Sequence, residues 1–159
     1  MAIAVLGIWG LWTGSVLAQG AQVPFGGLKH DAGQPVEITA DALALDQAAG
    51  TAVFTGTVKV GQGTLRLAAD RIEVVYSDES EVSRMLASGD VTLSNGAEAA
   101  EAREAVYDVA SGVIEMTGDV LLTQEANALS GETLRIDLTT GTGTLEGRVQ
   151  TILAPGSKP

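Results

Sequence analysis

The chain contains no cysteine and a single histidine, His30. Without cysteine there are no disulfides, thiolate metal sites, cysteine nucleophiles or cysteine-borne lipid anchors. One histidine excludes a histidine-rich metal centre and any mechanism that needs two. Basic side chains are scarce: Lys plus Arg number 9 against 20 Asp plus Glu, a formal charge of −11. There is no basic footprint to neutralise phosphates, so nucleic acid is excluded as a partner. A polybasic membrane-surface role is excluded on the same ground. Aromatic residues make up 4% of the chain, yet hydrophobic residues make up 45%. The shortage is of rings, not of aliphatic side chains. Proline is confined to Pro24, Pro35, Pro155 and Pro159. Nothing between Val36 and Ala154 therefore interrupts a β-ladder.

Charge is also missing from the beginning of the chain, where none precedes Lys29. Residues Ala2–Ala18 form an apolar and small-residue run that contains both tryptophans, Trp9 and Trp12. The run reads as a secretory signal peptide over residues 1–18, cut after Ala18 or Ala21. A retained membrane anchor is the competing reading, although the run is short for a span and carries glycines. Residues 19–34, with Gly20, Pro24, Gly26, Gly27 and Gly33, read as a flexible leader holding a solvated His30. Residues 155–159 read as a tail. One domain remains, residues 35–154.

Within that domain the apolar period is two. Ala52, Phe54, Gly56, Val58 and Val60 alternate with threonines and Lys59. Leu65 and Leu67, then Ile72, Val74 and Tyr76, then Val91 and Leu93 continue the pattern. Ile114, Met116, Val120 and Leu122 follow, and after them Leu134, Ile136 and Leu138. Turn signals fall at 47–50, 61–63, 77–80, 95–96, 110–112, 125–127 and 140–143. The pair Asn95-Gly96 suits a type I′ hairpin. Seven turns predict about eight strands. Ala97–Ala105 is alanine- and glutamate-rich and favours helix by propensity. Strand is preferred there because the chain repeats.

Four units each run from an acid through strand, turn and strand to a glycine before Val. Asp41 leads to Gly56-Thr57-Val58 and Asp70 to Gly89-Asp90-Val91. Glu104 leads to Gly118-Asp119-Val120 and Glu132 to Gly147-Arg148-Val149. The spacings are 15, 19, 14 and 15. A hairpin repeat cannot bury its apolar face alone, so the units must stack or roll up.

Three of these stretches carry a family resemblance: Pro35–Asp41, Gly50–Val60 and Leu65–Asp70. With the order of the repeats, residues 35–149 resemble the OstA-like, LptA-type family of periplasmic lipopolysaccharide-transport proteins. The resemblance implies an all-β fold, a single rolled, partly open antiparallel jellyroll. It implies lipopolysaccharide as ligand, carried from the inner to the outer membrane of a Gram-negative cell. It implies an inner-membrane LptC-like partner, an outer-membrane LptD-like translocon and head-to-tail self-association. No cofactor, no metal and no enzymatic activity are implied.

The residues support such a role independently. The in-phase set is rich in small aliphatics, and a rolled sheet so lined leaves room for acyl chains. The candidate groove lining is Ile38, Leu43, Leu45, Phe54, Val58, Leu65, Leu67, Ile72, Val74, Val91, Leu93, Val106, Ile114, Met116, Val120, Leu134, Ile136, Leu145 and Val149. The same residues could instead fill a core, giving a structural or adhesive β-repeat protein. A membrane-anchored LptC-like relative is a further alternative. Asp41, Asp70, Glu104 and Glu132 share the apolar parity at strand starts. They read as rim groups binding turns rather than as a cation or amine ladder. Arg66, Arg71, Arg84, Arg103, Arg135 and Arg148 read mainly as partners of acids on a wet face, with lipid phosphates as the alternative. An open sheet leaves two edges, Val36–Leu45 and Thr144–Leu153. Candidate partner contacts there are Val36, Glu37, Ile38 and Thr39 on the first, and Arg148, Val149, Gln150 and Thr151 on the last.

Overall fold

The structure, a computed structural model, describes residues 21–24 and 34–155. The expected signal peptide, most of the leader with His30, and the tail from residue 156 lie outside the described residues. Period-two alternation becomes one antiparallel sheet of eleven strands. They are β1 (Ala21–Pro24), β2 (Glu37–Thr39), β3 (Ala42–Asp46), β4 (Thr51–Gln62), β5 (Leu65–Tyr76), β6 (Val82–Ser94), β7 (Glu98–Asp108), β8 (Val113–Gln124), β9 (Asn127–Asp137), β10 (Thr142–Glu146) and β11 (Gln150–Ile152). The order across the sheet is β1-β10-β9-β8-β7-β6-β5-β4-β2, with β3 also on β4 and β11 also on β9. This is a meander, and it is the expected open jellyroll. Counting β2/β3 and β10/β11 each as one interrupted strand gives the eight strands expected, plus β1.

Glu98–Ala105 is strand, not helix, because β7 is held between β6 and β8 along its length, and Ala97 belongs to the turn before it. Tertiary pairing overrides a weak local preference here. The Asn95-Gly96 turn differs from the expectation. Gly96 has φ 93° but Asn95 is not in the positive region, so the type I′ geometry is absent. Instead Asn95 Oδ1 accepts the backbone N–H groups of Ala97 at 3.0 Å and Glu98 at 2.8 Å. The asparagine side chain replaces a turn residue.

The repeated glycines make the shape. Gly56, Gly89, Gly118 and Gly147 have φ between 78° and 86°, and each is followed by a second residue at positive φ: Thr57, Asp90, Asp119 or Arg148. Two residues on one strand then oppose a single one on the next. Gly56-Thr57 faces Asp70, Gly89-Asp90 faces Arg103, and Gly118-Asp119 faces Glu132. A bulge of this kind bends its strand and sharpens the twist. All the long pairings shift register at this one level, so the bulges form a line across the sheet. The sheet folds along that line and its apolar face closes on itself.

The inner face is predominantly apolar, and no polar or charged residue is buried among the described residues. One core cluster runs through both halves of the folded sheet, from Ala52, Ile72 and Leu134 to Val60, Leu93 and Leu122. Each fully buried Leu or Ile contributes about 1.5–3 kcal/mol relative to exposure.

Candidate functional site: an apolar cavity between the sheet halves

A cavity of about 340 Å³ opens beside the β2 edge. From one half of the fold it is lined by Val36, Ile38, Leu65, Leu67 and Leu93; from the other by Val74, Tyr76, Met85, Tyr107 and Ile114. Ligand pockets run from about 300 to 1,000 Å³, so this one is small but in range. The only two tyrosines of the chain both line it. Burial, aided by the neighbouring charge of Asp108, pushes the Tyr107 hydroxyl above its ordinary pKa. The cavity therefore disfavours charge at its wall. Two alanines, Ala87 and Ala105, leave its floor wide.

The residues expected to line a groove divide into groups. Ile38, Leu65, Leu67, Val74, Leu93 and Ile114 meet at this cavity. Val58, Ile72, Val91, Met116, Val120, Leu134, Ile136 and Leu145 are at most 1% exposed and belong to the closed core. Phe54 packs against that core, half-buried. The open space lies towards β2, while the packed residues run from Val58 on β4 to Leu145 on β10 and fill the β10 side. Leu43 and Leu45 stand 52% and 69% exposed on the first edge, in register with Phe54 and Ala52, and Val149 is exposed near the last.

Val106 is a correction: it faces outward. Its cross-strand partners are Leu86 and Glu115, while Ala105 and Tyr107 face in. The cause is the line of bulges. A strand carrying two residues at the bend keeps its parity, as from Val58 back to Phe54. A strand carrying one flips it, so β7 turns in Ala100 and Ala102 before the bend, then Ala105 and Tyr107 after it. Continued alternation misses this flip. Tyr76 belongs to the alternating set but not to the expected lining, and Val82, Met85, Tyr107 and Val109 belong to neither; the flip is the signal that finds Tyr107.

The repeated acids also sit differently from the expectation. Asp70, Glu104 and Glu132 lie in the middle of long strands, not at strand starts, and all are exposed. Asp70 and Glu132 cover the glycines of the neighbouring strand. A Cβ on Gly89 would lie 2.5 Å from Asp70 Oδ2, and one on Gly147 would lie 2.6 Å from Glu132 Cβ. In the third unit Arg103, not Glu104, covers its glycine, Gly118. The true spacing there is 15, as in the first and fourth units. Arg103 pairs with Asp119, and Arg148 pairs with Glu132 at 2.5 Å. Arg71 pairs with Glu73 and Arg135 with Glu115. Arg66 instead donates to the carbonyls of Gly63 and Leu65. These exposed pairs contribute about 0–1 kcal/mol each. Among the described residues no group of acids or histidine is placed to hold a metal ion.

The edges are the second part of the site. Glu37, Ile38 and Thr39 form β2, which among the described residues borders β4 on one side only. Gln150 and Thr151 lie exposed in β11, with Arg148 and Val149 at the bend before it. The last edge is not open along its whole length as expected. The leader supplies β1, which pairs with β10 from Ala21↔Leu145 to Pro24↔Thr142. So the leader is structured in part, and half of the last edge is covered.

Comparison with known proteins agrees with this architecture. Residues 37–142 match the family described as LptA/(LptD N-terminal domain) LPS transport protein. An uncharacterised protein of Rhizobium meliloti is 32% identical over 99% of this chain and 91% of its own length. The lipopolysaccharide export system protein LptA of Escherichia coli K12 is 26% identical, over 70% of this chain and 64% of its own length. Among solved structures, LptH of Pseudomonas aeruginosa, titled the LptA homologous periplasmic component of a lipopolysaccharide transport device, superposes with a TM-score of 0.71. It is 20% identical and covers 79% of this chain and 99% of its own.

Proposed function

Because the chain belongs to the LptA/LptD N-terminal-domain family of lipopolysaccharide transport proteins, we propose that it is a periplasmic, non-enzymatic conduit segment holding lipopolysaccharide by its acyl chains. In this reading the precursor is exported and cut after Ala18 or Ala21. The family consists of transport proteins rather than enzymes, and the energy for transport comes from elsewhere. The observation that carries the reading is the cavity: an apolar space open at the β2 edge, without a buried charge to repel an acyl chain. Burying a chain yields about 0.8 kcal/mol per methylene, and small side chains at Ala87 and Ala105 leave room for it. The edges β2/β3 and β10/β11 would join copies, an LptC-like protein and an LptD-like translocon by strand addition, extending one apolar face.

The sealed half towards β10 favours a second reading, a structural β-repeat with a packed core. Native mass spectrometry on chain recovered from the periplasm separates the two. A lipopolysaccharide-sized adduct, with ionisation of Tyr107 shifted to still higher pH when lipid is bound, is expected. Chain that carries no adduct and takes up no added lipopolysaccharide would instead be the packed repeat.

A further inference from the structure

The two ends of the sheet are unlike. At the first, β2 and β3 have no neighbour beyond them among the described residues. At the last, the final strand is split by the bend at Gly147-Arg148 and its parts are treated differently. Among the described residues the β11 part pairs only with β9, and the Ala154 N–H donates to Asn127 Oδ1 at 3.1 Å beyond it. The β10 part lies between β9 and β1. Along that half β1 is therefore the terminal strand. It has four residues and closes on Pro24, which lacks an N–H and has a fixed φ. A short strand ending in proline is a poor template for further pairing.

What the ends share is exposed apolar surface. The large hydrophobics more than half exposed among the described residues are Val36, Leu43, Leu45, Ile152 and Leu153. All five lie at one sheet end or the other. The two ends also match in form: residues 37–46 bend at 40–41, and residues 142–152 bend at 147–148. A second copy offering its first edge would bring bend against bend and apolar residue against apolar residue.

Resting on the edge-joining reading above, we infer that β1 is a self-cap on the C-terminal edge. A second copy docks its β2–β3 edge on the open β11 and then displaces β1 from β10. The cap holds head-to-tail growth back, since a heterologous contact of this kind does not close on itself. Only the uncapped fraction is fully competent, and the apparent dissociation constant rises as that fraction falls.

The absence of cysteine supplies the test. Gln22 and Thr144 are cross-strand partners. Paired Cα atoms in antiparallel strands lie about 4.5–5.5 Å apart, within the about 4.4–6.8 Å that a disulfide spans. The double variant Gln22→Cys, Thr144→Cys locks the cap when oxidised and frees it when reduced. Self-association by sedimentation velocity is expected to be about tenfold weaker oxidised than reduced. The double variant Gln22→Pro, Val23→Pro removes two successive N–H groups, one of which must face β10. It is expected to associate about tenfold more tightly than the parent, with circular dichroism confirming the fold. Equal association of all forms, still abolished by Leu45→Asp on the opposite edge, overturns the self-cap and leaves edge joining standing. No association in any form, the proline variant included, overturns both.

Discussion

At the scale of single residues, the repeated glycines are the positions the fold can least change. Gly89 sits at φ 78°, and a Cβ there would press on Asp70 Oδ2 at 2.5 Å. Gly89→Ala meets two separate obstacles, left-handed strain and a clash. Adopting that backbone without glycine costs about 1–2 kcal/mol. The expected loss is about 2–3 kcal/mol in urea unfolding. Adding Asp70→Gly should return only the part due to the clash, so the double variant separates the two causes. A second comparison tests the inward face of β7. Ala105 is 5% exposed and Val106 is 37% exposed. Val106→Asp should change stability by less than about 0.5 kcal/mol, as outward substitutions do. Ala105→Asp buries an unpaired charge and should cost more than about 3 kcal/mol or prevent folding. The reverse ranking would contradict the parity flip. That flip is also why Val106 was misread from sequence: alternation is local, whereas a two-against-one bulge is a property of a strand pair. The acid in the third unit was misread for the same reason. Glu104 matched the residue type of its counterparts, but Arg103 holds the position opposite the glycine.

At the scale of elements, three hairpin turns are tied by carboxylates: Asp46 accepts the Ala49 N–H at 2.9 Å, and Asp108 and Asp137 hold two more. Asp108 accepts the Ser111 N–H and hydroxyl, both at 2.9 Å, and those bonds hold its carboxyl below the ordinary value. Asp137 accepts the N–H groups of Thr140 at 3.0 Å and Thr139 at 2.8 Å and is lowered likewise. A lowered folded pKa gives stability that is fully present above the unfolded value, about 4. It is lost as pH falls through the folded value. Stability should therefore drop between about pH 4 and more acid conditions, and the drop should shrink in Asp108→Asn, Asp137→Asn. A pH series of thermal unfolding checks this, and an unchanged acid slope in the double variant would count against the turns. The elements themselves were largely legible. Each of the seven expected turns marks a junction between successive strands, although the strands themselves take up 61–62, 127 and 142–143; Gly, Asn, Asp and Ser mark reversals through their own backbone chemistry. Strand β1 was not legible. Four residues among glycines and prolines carry no periodicity, and only the exposed edge of β10, far along the chain, makes a strand of them.

At the scale of the whole molecule, the question is whether the space beside β2 exists for a ligand or is a packing defect. Filling it answers this, because stability and uptake then respond differently. Ala87 and Ala105 line the cavity and are each about 95% shielded from solvent, at 4% and 5% exposure. Ala105→Leu extends apolar atoms into open space on a strand that is already fixed. Cavity-filling changes of this sort commonly stabilise by about 0.5–2 kcal/mol. Both readings of the fold predict that gain. Only a carrier predicts that it comes with a loss, since the added side chain occupies the volume an acyl chain would take. Lipopolysaccharide uptake by Ala105→Leu should fall about tenfold, one pocket's worth of about 1.4 kcal/mol. The upward displacement of the Tyr107 titration on adding lipid should fall with it. Leu134→Ala supplies the control in the sealed half, where Leu134 is fully buried. It should cost about 2–5 kcal/mol of stability with little effect on uptake, provided the chain remains folded at the assay temperature. A gain in stability at Ala105→Leu with uptake intact would place the lipid elsewhere on the inner face. The sealed half between β8 and β10 would then have to open to receive it.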